Sequence, residues 1–218
     1  MAEERTTALI VAAGTGERLG GDVPKQYRAV GGKPVLRWAV EAMARHPLVD
    51  QVRVVIGSEQ HELARTALEG LDVGDLIEGG AERADSVLRG LAAVGDGRVL
   101  VHDAARPFCP PDVIDRLLGA LGGHDGAVPV LPVSDTIAKG DRILDAPVDR
   151  ARLLRVQTPQ AFHVEDLLYA YEEAGRRPAT DESTVMLAAG LQVAAVAGDP
   201  MLEKLTTAAD WERAEAIL

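Results

Sequence analysis

A glycine-rich loop directly after an apolar run constrains this chain more than any other stretch of its sequence. Residues 8–11 are apolar and compatible with a β-strand, and four glycines follow before position 22, with Arg18 among them and Lys25 just beyond. Because glycine carries no side chain, the backbone of such a loop can approach a ligand closely, and the two cations project into the same space. Open backbone amides with fixed positive charge suit a polyphosphate.

The spacing of these glycines does not match the well-known phosphate-binding fingerprints. A dinucleotide-binding loop needs G-x-G-x-x-G, but Gly20 comes one position too late after Gly14 and Gly16. A P-loop needs Gly-Lys followed by Ser or Thr, and this loop has no such tripeptide. The spacing argues against a dinucleotide-dependent oxidoreductase. A glycine-rich connection that binds nothing, with Arg18 and Lys25 as solvated surface cations, stays open as an alternative.

The overall charge limits which partners the chain attracts. Aspartate and glutamate total 34 residues against 23 lysines and arginines, for a formal net charge of −11. This charge opposes general attraction to nucleic acid or to an anionic membrane surface. Because the same field disfavours an anionic nucleotide, a nucleotide site has to concentrate its cations locally or recruit Mg²⁺.

The distribution of cysteine, histidine and apolar residues excludes several further classes. Cys109 is the single cysteine, so neither an internal disulfide nor a cysteine cluster for zinc is possible. The five histidines are dispersed, and there is no G-x-S-x-G elbow, so we assign no zinc-helix or serine-hydrolase role. No apolar run reaches the roughly 20 residues that a membrane helix needs, and we expect a soluble, cytoplasmic protein.

Apolar runs alternate with helical patterns along most of the chain. This alternation predicts repeated βαβ units in one domain over residues 1–218, with an α/β, Rossmann-like, mostly parallel sheet and helices on both faces. Strands are predicted at 6–11, 52–56, 75–78, 99–101, 127–131 and 192–196, and helices at 34–44, 58–68, 83–94, 165–174 and 207–218. A further helix is predicted to follow residues 110–112 and end at 121, and another, with cap residues in 180–183, to end at 189. Ser58 is expected to cap the second helix. Because ligands bind at the carboxyl ends of parallel strands, Ala12, Gly14 and Asp103 should share one edge.

The alternation stops in residues 133–157, which we predict to form a projecting arm. Gly140, Pro147 and short apolar segments there favour a hairpin over another βα unit. Such an arm has little core of its own and would gain stability by burying its apolar residues against a second copy of the chain. A mobile surface loop is the alternative.

Six blocks of sequence carry a family resemblance that covers residues 9 to about 211. They are AAGTGER at 12–18, PKQ at 24–26, ERADSV at 82–87, VHDAARP at 101–107, VDR at 148–150 and TPQ at 158–160. Together they resemble the 2-C-methyl-D-erythritol 4-phosphate cytidylyltransferases, which belong to the sugar- and polyol-phosphate nucleotidyltransferases. The resemblance implies transfer of the cytidylyl group of CTP to 2-C-methyl-D-erythritol 4-phosphate, with release of pyrophosphate, in the non-mevalonate route to isoprenoid precursors.

The resemblance also implies roles for individual residues. Arg18 and Lys25 would stabilise the transition state, and Arg150 and Lys204 would position the phosphate of the second substrate. The nucleotide-binding set would be Ala12, Ala13, Gly14, Thr15, Gly16, Gly80, Ala81, Ser86, Asp103 and Ala104. The acceptor phosphate would meet Thr136, Arg150, Thr158, Thr180 and Lys204. Asp103 would take part in binding Mg²⁺, although a strand-end aspartate could equally cap the next turn.

In the resembled family the arm exchanges between the subunits of a homodimer. Thr136 and Arg150 would then come from the opposite subunit, and each active site would be built by two chains. Arg106 is expected to brace the loop after the fourth strand.

Two departures from the family pattern bear on specificity. Ala81 stands where the family often has aspartate, so cytidine preference would rest on backbone groups and Ser86. Glu203 precedes Lys204 where the family often has Asn-Ile-Lys, which puts a negative charge beside the proposed phosphate ligand. Two other functions stay open: a cytidylyltransferase for another polyol phosphate such as ribitol 5-phosphate, and a non-catalytic nucleotide sensor.

Overall fold

The first strand, β1 (Thr6–Ala12), explains why helices cover both faces of the central sheet. Its alternate side chains enter two different hydrophobic cores: Ala8 and Ile10 pack into one, and Leu9 packs into the other. All three are fully buried. A strand buried on both faces lies inside a sheet that has a helical layer on each side. The run of apolar residues in the sequence therefore places β1 in the middle of the fold.

The structure is a computed structural model that describes residues 4–14, 23–175 and 180–218. The remaining strands are β2 (Ala29–Val30), β3 (Lys33–Pro34), β4 (Gln51–Ile56), β5 (Ile77–Glu78), β6 (Arg98–Asp103), β7 (Gly126–Pro132), β8 (Ile137–Gly140), β9 (Leu144–Val148), β10 (Leu154–Val156), β11 (Gln160–His163) and β12 (Val193–Ala197). The α-helices are α1 (Val35–Ala44), α2 (His61–Ala67), α3 (Arg83–Val94), α4 (Pro111–Ala120), α5 (Val164–Ala174), α6 (Glu182–Ala188) and α7 (Ala208–Ile217). Short 3-10 turns lie at Lys25–Tyr27 and Pro200–Leu202.

The central sheet runs in the order β10-β7-β11-β6-β1-β4-β5, and β12 pairs with β7. Strand β1 is parallel to both β4 and β6. Strand β5 is parallel to β4, and β12 is parallel to β7. Helices α1, α2 and α4 cover one face, and α3, α5 and α6 cover the other. The predicted mostly parallel sheet with helices on both faces is confirmed, and the carboxyl ends of β1 and β6 meet at one edge.

Two local predictions were wrong. Strand β11 was not predicted: its four residues lie antiparallel between β6 and β7, and a strand so short leaves little period-two signal. The second helix begins at His61, with no side-chain cap, and not after Ser58. The amide of Gln60 donates to the carbonyl of Gly57 at 3.0 Å, which closes a turn around Ser58 before the helix begins.

Residues 133–157 leave the same edge of the sheet as β1 and β6, and they contain the predicted hairpin. Strands β8 and β9 are antiparallel and pair with each other, while β10 returns to β7. Ile143 and Leu144 at the tip are 81% and 77% exposed. The hairpin thus presents apolar side chains to solvent within a single chain.

None of the described helices is both long and apolar enough to cross a lipid bilayer.

Candidate functional site

An open cavity of about 410 Å³ lies where the sheet delivers the carboxyl ends of β1 and β6. Its described walls are formed by Val11, Ala12, Ala13, Gly14, Lys25, Gln26, Gly80, Ala81, Glu82, Arg83, Ser86, Asp103, Ala104, Ala105, Lys204 and Thr206. These residues come from five separate stretches of the chain. The fold, and not local sequence, brings them together.

The start of the glycine-rich loop is held in place by Gln26. This buried side chain donates from Nε2 to the carbonyl oxygens of Ala12 at 2.7 Å and of Gly14 at 2.8 Å. Gln60 in turn supports Gln26, since its Oε1 lies 3.3 Å from Gln26 Nε2 and accepts from Tyr27 Oη at 3.0 Å. The PKQ block therefore fixes the backbone at which β1 ends, besides supplying Lys25.

Gly79 and Gly80 form the opposite wall, beneath the start of α3. A side chain at Gly79 would place its Cβ 2.6 Å from Ser86 Oγ and 2.7 Å from the Cβ of Ala13, so only glycine fits there. The Ser86 hydroxyl accepts from the Gly80 amide and donates to the Glu82 carbonyl, both at 3.1 Å. Ser86 thus shapes this wall, while its predicted contact with a cytosine base stays a prediction.

Asp103 ends β6 and is the electrostatic centre of the cavity. Its Oδ2 lies 2.8 Å from Lys204 Nζ and 3.8 Å from Arg106 Nε, and its Oδ1 lies 3.2 Å from Arg83 Nη2. Burial alone would raise the pKa of Asp103, but the charge of Arg83, followed by those of Lys204 and Arg106, outweighs burial and holds this pKa well below its usual range. Asp103 is therefore ionised under all ordinary conditions.

Arg83 connects Asp103 to a second, deeper carboxylate. Its guanidinium also pairs with both oxygens of Glu182, at 2.5 and 2.9 Å, and the side chain of Glu182 is fully buried. Burial would lower the pKa of Arg83, but the charges of Glu182 and Asp103 outweigh it and raise this pKa. Tyr171 donates its hydroxyl to Glu182 at 3.0 Å.

The segment 203–206 supplies three groups to the cavity. Lys204 contacts Asp103, Thr206 lines the wall, and the carbonyl of Leu205 accepts from Lys25 Nζ at 2.9 Å. Glu203 binds Arg213, with oxygens at 3.0 and 2.9 Å from its guanidinium nitrogens. The negative charge next to Lys204 in sequence is therefore directed to Arg213, while Lys204 itself contacts Asp103.

A buried relay beneath Asp103 involves Thr158 and His102. The Asp103 amide donates to Thr158 Oγ1 at 3.0 Å, and this hydroxyl lies 3.2 Å from His102 Nδ1. His102 Nε2 lies 2.9 Å from the carbonyl oxygen of Arg106. Burial lowers the pKa of His102 to about 4, so the ring is neutral at pH 7 and donates from Nε2. The hydroxyl of Thr158 is thereby occupied by protein groups.

Among the residues that the structure describes, most of the predicted site residues lie together at the cavity. Ten predicted residues line the cavity: Ala12, Ala13, Gly14, Lys25, Gly80, Ala81, Ser86, Asp103, Ala104 and Lys204. Thr136, Arg150, Thr158 and Thr180 are not among its described lining residues. Arg18, Thr15 and Gly16 lie outside the residues that the structure describes. Arg106 braces the loop as expected, since it donates to the carbonyl of Leu202 at 2.5 Å.

One described acid of the cavity wall could contribute a carboxylate oxygen to a magnesium ion. Mg²⁺ commonly takes one or two protein carboxylates together with waters and substrate phosphates. Of the acids that line the described wall, Glu82 uses its side chain to cap the backbone of α3, which leaves Asp103. A single ionised carboxylate suits an ion whose other ligands come from a bound polyphosphate.

Sequence reasoning gave no role to Gln26, Arg83 or Glu182. Gln26 and Arg83 lie within blocks that carried the resemblance, so their position beside Lys25 and Ser86 was the available signal. Glu182 was considered only as part of a helix start. Its partner Arg83 is 99 residues away, and no local pattern links the two.

Known proteins resemble this chain over nearly its whole length. A family model described as IspD: 2-C-methyl-D-erythritol 4-phosphate cytidylyltransferase matches residues 6–218. The chain is 44% identical to the 2-C-methyl-D-erythritol 4-phosphate cytidylyltransferase of Nocardia farcinica, over 97% of this chain and 93% of that protein. The crystal structure of 2-C-methyl-D-erythritol 4-phosphate cytidylyltransferase from Thermus thermophilus superimposes with a TM-score of 0.85 at 34% identity, covering 98% of both chains.

Some relatives are longer than this chain. It is 57% identical to the bifunctional enzyme IspD/IspF of Rhizorhabdus wittichii, over 95% of this chain but only 55% of that protein. A second bifunctional enzyme IspD/IspF, from Rhodospirillum rubrum, is 45% identical over 98% of this chain and 57% of its own length. The chain thus spans about half of these relatives.

Proposed function

Because this chain belongs to the 2-C-methyl-D-erythritol 4-phosphate cytidylyltransferase family, we propose that it transfers the cytidylyl group of CTP to 2-C-methyl-D-erythritol 4-phosphate. The observation that carries this proposal is the convergence of Lys25, Asp103 and Lys204 around a cavity whose floor is the backbone of residues 12–14. The products would be 4-diphosphocytidyl-2-C-methyl-D-erythritol and pyrophosphate, on the route to isoprenoid precursors.

The reaction places few demands on acid-base chemistry. An oxygen of the acceptor phosphate forms a bond to the α-phosphorus of CTP, and the bond from that phosphorus to the bridging oxygen of the β-phosphate breaks. The electron pair of that bond leaves with pyrophosphate. The nucleophile is already an anion at pH 7, so no strong general base is required. The barrier comes from bringing two anions together in line and from the charge on the five-coordinate phosphorus.

The cations of the cavity meet these two demands. Lys25 is fixed beside the loop by the Leu205 carbonyl, from where its ammonium would neutralise the α-phosphate. Arg18 would add a second cation from within the loop. Lys204, held by Asp103 at 2.8 Å, would donate to the acceptor phosphate from that position. Backbone groups of residues 12–14 and 80–81 would surround the nucleoside, where their close approach favours a pyrimidine over a purine.

Magnesium would assist at the same place. Asp103 would hold the ion together with phosphate oxygens of the nucleotide, and the ion would neutralise charge on the triphosphate. Because Arg83 and Lys204 contact the two oxygens of Asp103, the ion would share this carboxylate with both cations.

The remaining predicted residues support a shared site in a homodimer. Thr136 and Arg150 lie on an exposed arm that carries apolar side chains at its tip. Packing this arm against a second copy would bury those side chains and would bring Arg150 to the acceptor side of the other chain's cavity. Thr158 and Thr180 remain predicted contacts of the acceptor. The cytoplasmic location expected from the sequence stays a prediction.

Acceptor comparison tests the proposed function directly. Pyrophosphate release would be measured with CTP, Mg²⁺ and either 2-C-methyl-D-erythritol 4-phosphate or ribitol 5-phosphate, with product mass as a second readout. We expect faster turnover and the cytidylylated product with the methylerythritol substrate. Faster release with ribitol phosphate would transfer the assignment to that acceptor. CTP binding without turnover on either acceptor would support the nucleotide sensor instead.

A further inference from the structure

Arg83, in the cavity wall, and the buried Glu182 behind it form a charge pair that the steps above do not use. They are the first residues of α3 and α6, and two hydrogen bonds of 2.5 and 2.9 Å join the guanidinium to both carboxylate oxygens. Paired hydrogen bonds between a guanidinium and a carboxylate fix the orientation of the arginine as well as its position. The start of α6 is thus tied to the start of α3 through one planar contact.

Burying the carboxylate of Glu182 is unfavourable in free energy, because its charge is removed from water. Its side chain has no exposed area, and besides Arg83 it accepts only the Tyr171 hydroxyl among the described contacts, at 3.0 Å. Burying an ion pair adds little stability, because removing both charges from water offsets most of their attraction. The pair is therefore better explained by the orientation that it imposes than by the stability that it adds.

The orientation matters because the same guanidinium reaches the cavity. Arg83 Nη2 donates to Asp103 Oδ1 at 3.2 Å while Lys204 Nζ lies 2.8 Å from Asp103 Oδ2. Arg83 and Lys204 therefore contact different oxygens of this carboxylate, and Arg106 Nε lies 3.8 Å from the oxygen that Lys204 contacts. If Arg83 were released from Glu182, it could bind both oxygens of Asp103 in the fork geometry that arginine prefers, and Lys204 would lose its place.

We propose that Glu182 is a positioning residue for the transfer reaction: by holding Arg83, it restricts Arg83 to one oxygen of Asp103 and keeps the other for Lys204. The proposal deepens the proposed function and rests on it. Glu182 acts indirectly, through Arg83, since it contacts Arg83 and is not among the residues that line the cavity.

A double-mutant cycle separates this role from a merely structural one. The variants are Glu182→Gln, Arg83→Gln and both together, with Glu172→Gln on the exposed side of α5 as a matched control. We expect Glu182→Gln to lower kcat about tenfold, as for the loss of a charge-assisted contact, and to leave the Kd for CTP within about twofold by calorimetry. Glu172→Gln should leave both unchanged.

The cycle also predicts strong coupling. In the Arg83→Gln background, adding Glu182→Gln should change kcat by less than about twofold, because the arginine through which Glu182 acts is gone. Equal losses in both backgrounds, or a normal kcat for Glu182→Gln, would overturn the proposal. If Glu182→Gln does not fold, Glu182→Asp, which keeps the buried charge on a shorter side chain, takes its place in the same cycle.

A crystal structure of the Glu182 variant distinguishes failure of this inference from failure of the proposed function. We expect Arg83 to contact both oxygens of Asp103 and Lys204 Nζ to move out of hydrogen-bond distance. An unchanged Arg83 would refute the positioning role. Absence of product from the wild-type chain would refute the proposed reaction, and the structure would then still decide whether Glu182 controls Arg83.

Discussion

The cavity wall and the projecting arm are built on opposite principles. In the wall and directly behind it, polar side chains are buried and bonded to neighbouring groups: Asp103 is 8% exposed, Thr158 is 3% exposed and Glu182 is fully buried. In the arm, every residue of β8 is exposed, and the two strands of the hairpin pair with each other. The buried polar side chains of the wall are paired within a single chain, whereas the arm presents exposed surface that a second chain can cover.

This difference indicates that the wall and the arm have different roles. The wall can hold a nucleotide in a fixed geometry. A reaction that depends on the placement of charges requires such a geometry. The arm carries Thr136 and Arg150, so in the proposed homodimer its contribution to the site would depend on where a second copy puts them. We therefore expect variants of the wall to abolish chemistry and variants of the arm to act through assembly.

Lys25→Ala should give the largest effect, since it removes a wall cation held beside the loop. We expect kcat to fall by about 10² to 10³, or about 3 to 4 kcal/mol, as when a donor to a developing oxyanion is lost. Steady-state pyrophosphate release would measure this change. Arg65→Ala, which breaks an exposed pair with Glu62, is the matched control. Turnover within about twofold of wild type would remove Lys25 from the mechanism.

Arg150→Ala tests whether the arm completes a neighbouring site. Alone, we expect this variant to be nearly inactive with the acceptor. Mixed in equal amounts with Lys25→Ala, it should regain about a quarter of wild-type activity, because half of the dimers would be mixed and each would have one intact site. Activity that stays at the level of the separate variants would place Arg150 and Lys25 in the same chain's site.

Aspartates at the arm tip should break assembly while sparing the fold. Ile143→Asp combined with Leu144→Asp would place charge on side chains that are 81% and 77% exposed in the single chain. We expect a shift from dimer to monomer in sedimentation at micromolar concentration, with the unfolding midpoint nearly unchanged. Leu187→Asp, at a 62% exposed position on α6, is the control and should stay dimeric. A dimer that tolerates both arm aspartates would locate the interface elsewhere.

Asp210→Asn should have the smallest effect, on the stability of the wall. Burial would raise the pKa of Asp210, but hydrogen bonds from Thr206 and Thr207 outweigh it and lower this pKa from 3.8 to about 2. Because the folded-state pKa is depressed, the stabilisation is complete above pH 4 and is lost as pH falls through about 2. We expect wild type to exceed Asp210→Asn by about 1 kcal/mol at pH 6, after screening at the helix end.

Urea unfolding at several pH values would measure this difference, which should shrink between pH 4 and pH 2. A gap that stays constant over this range would show that Asp210 acts through packing and not through its charge. Activity at pH 7 should change little, because the segment that carries Lys204 is also held by the bond from the Leu205 amide to the Ala105 carbonyl at 2.9 Å.

The sequence predicted those parts of the molecule whose signals are local. Helix α3 was placed correctly at both ends, since the apolar spacing of its residues is helical and Gly95 follows its last residue. The arm was recognisable because Gly140 and Pro147 interrupt the βα alternation. Most of the cavity could be assigned from the blocks that carry the family resemblance.

The parts that were missed depend on distant partners. Glu182 has meaning only opposite Arg83, and β11 is defined by the two strands between which it lies. The hydroxyls of Ser86 and Thr158 also hold the backbone at Gly80 and Asp103, a role that the sequence did not indicate. Such roles follow from three-dimensional packing, which spacing along one sequence does not encode.

On the proposed function, the triphosphate of CTP binds at the cavity wall. The most direct test is a crystal structure of the chain with CTP and Mg²⁺. We predict that the triphosphate lies along the backbone of residues 12–14, with Lys25 Nζ within hydrogen-bond distance of a phosphate oxygen and the metal near Asp103. A triphosphate bound on the arm, with Lys25 still on the Leu205 carbonyl and out of reach of any phosphate, would refute this placement of the nucleotide.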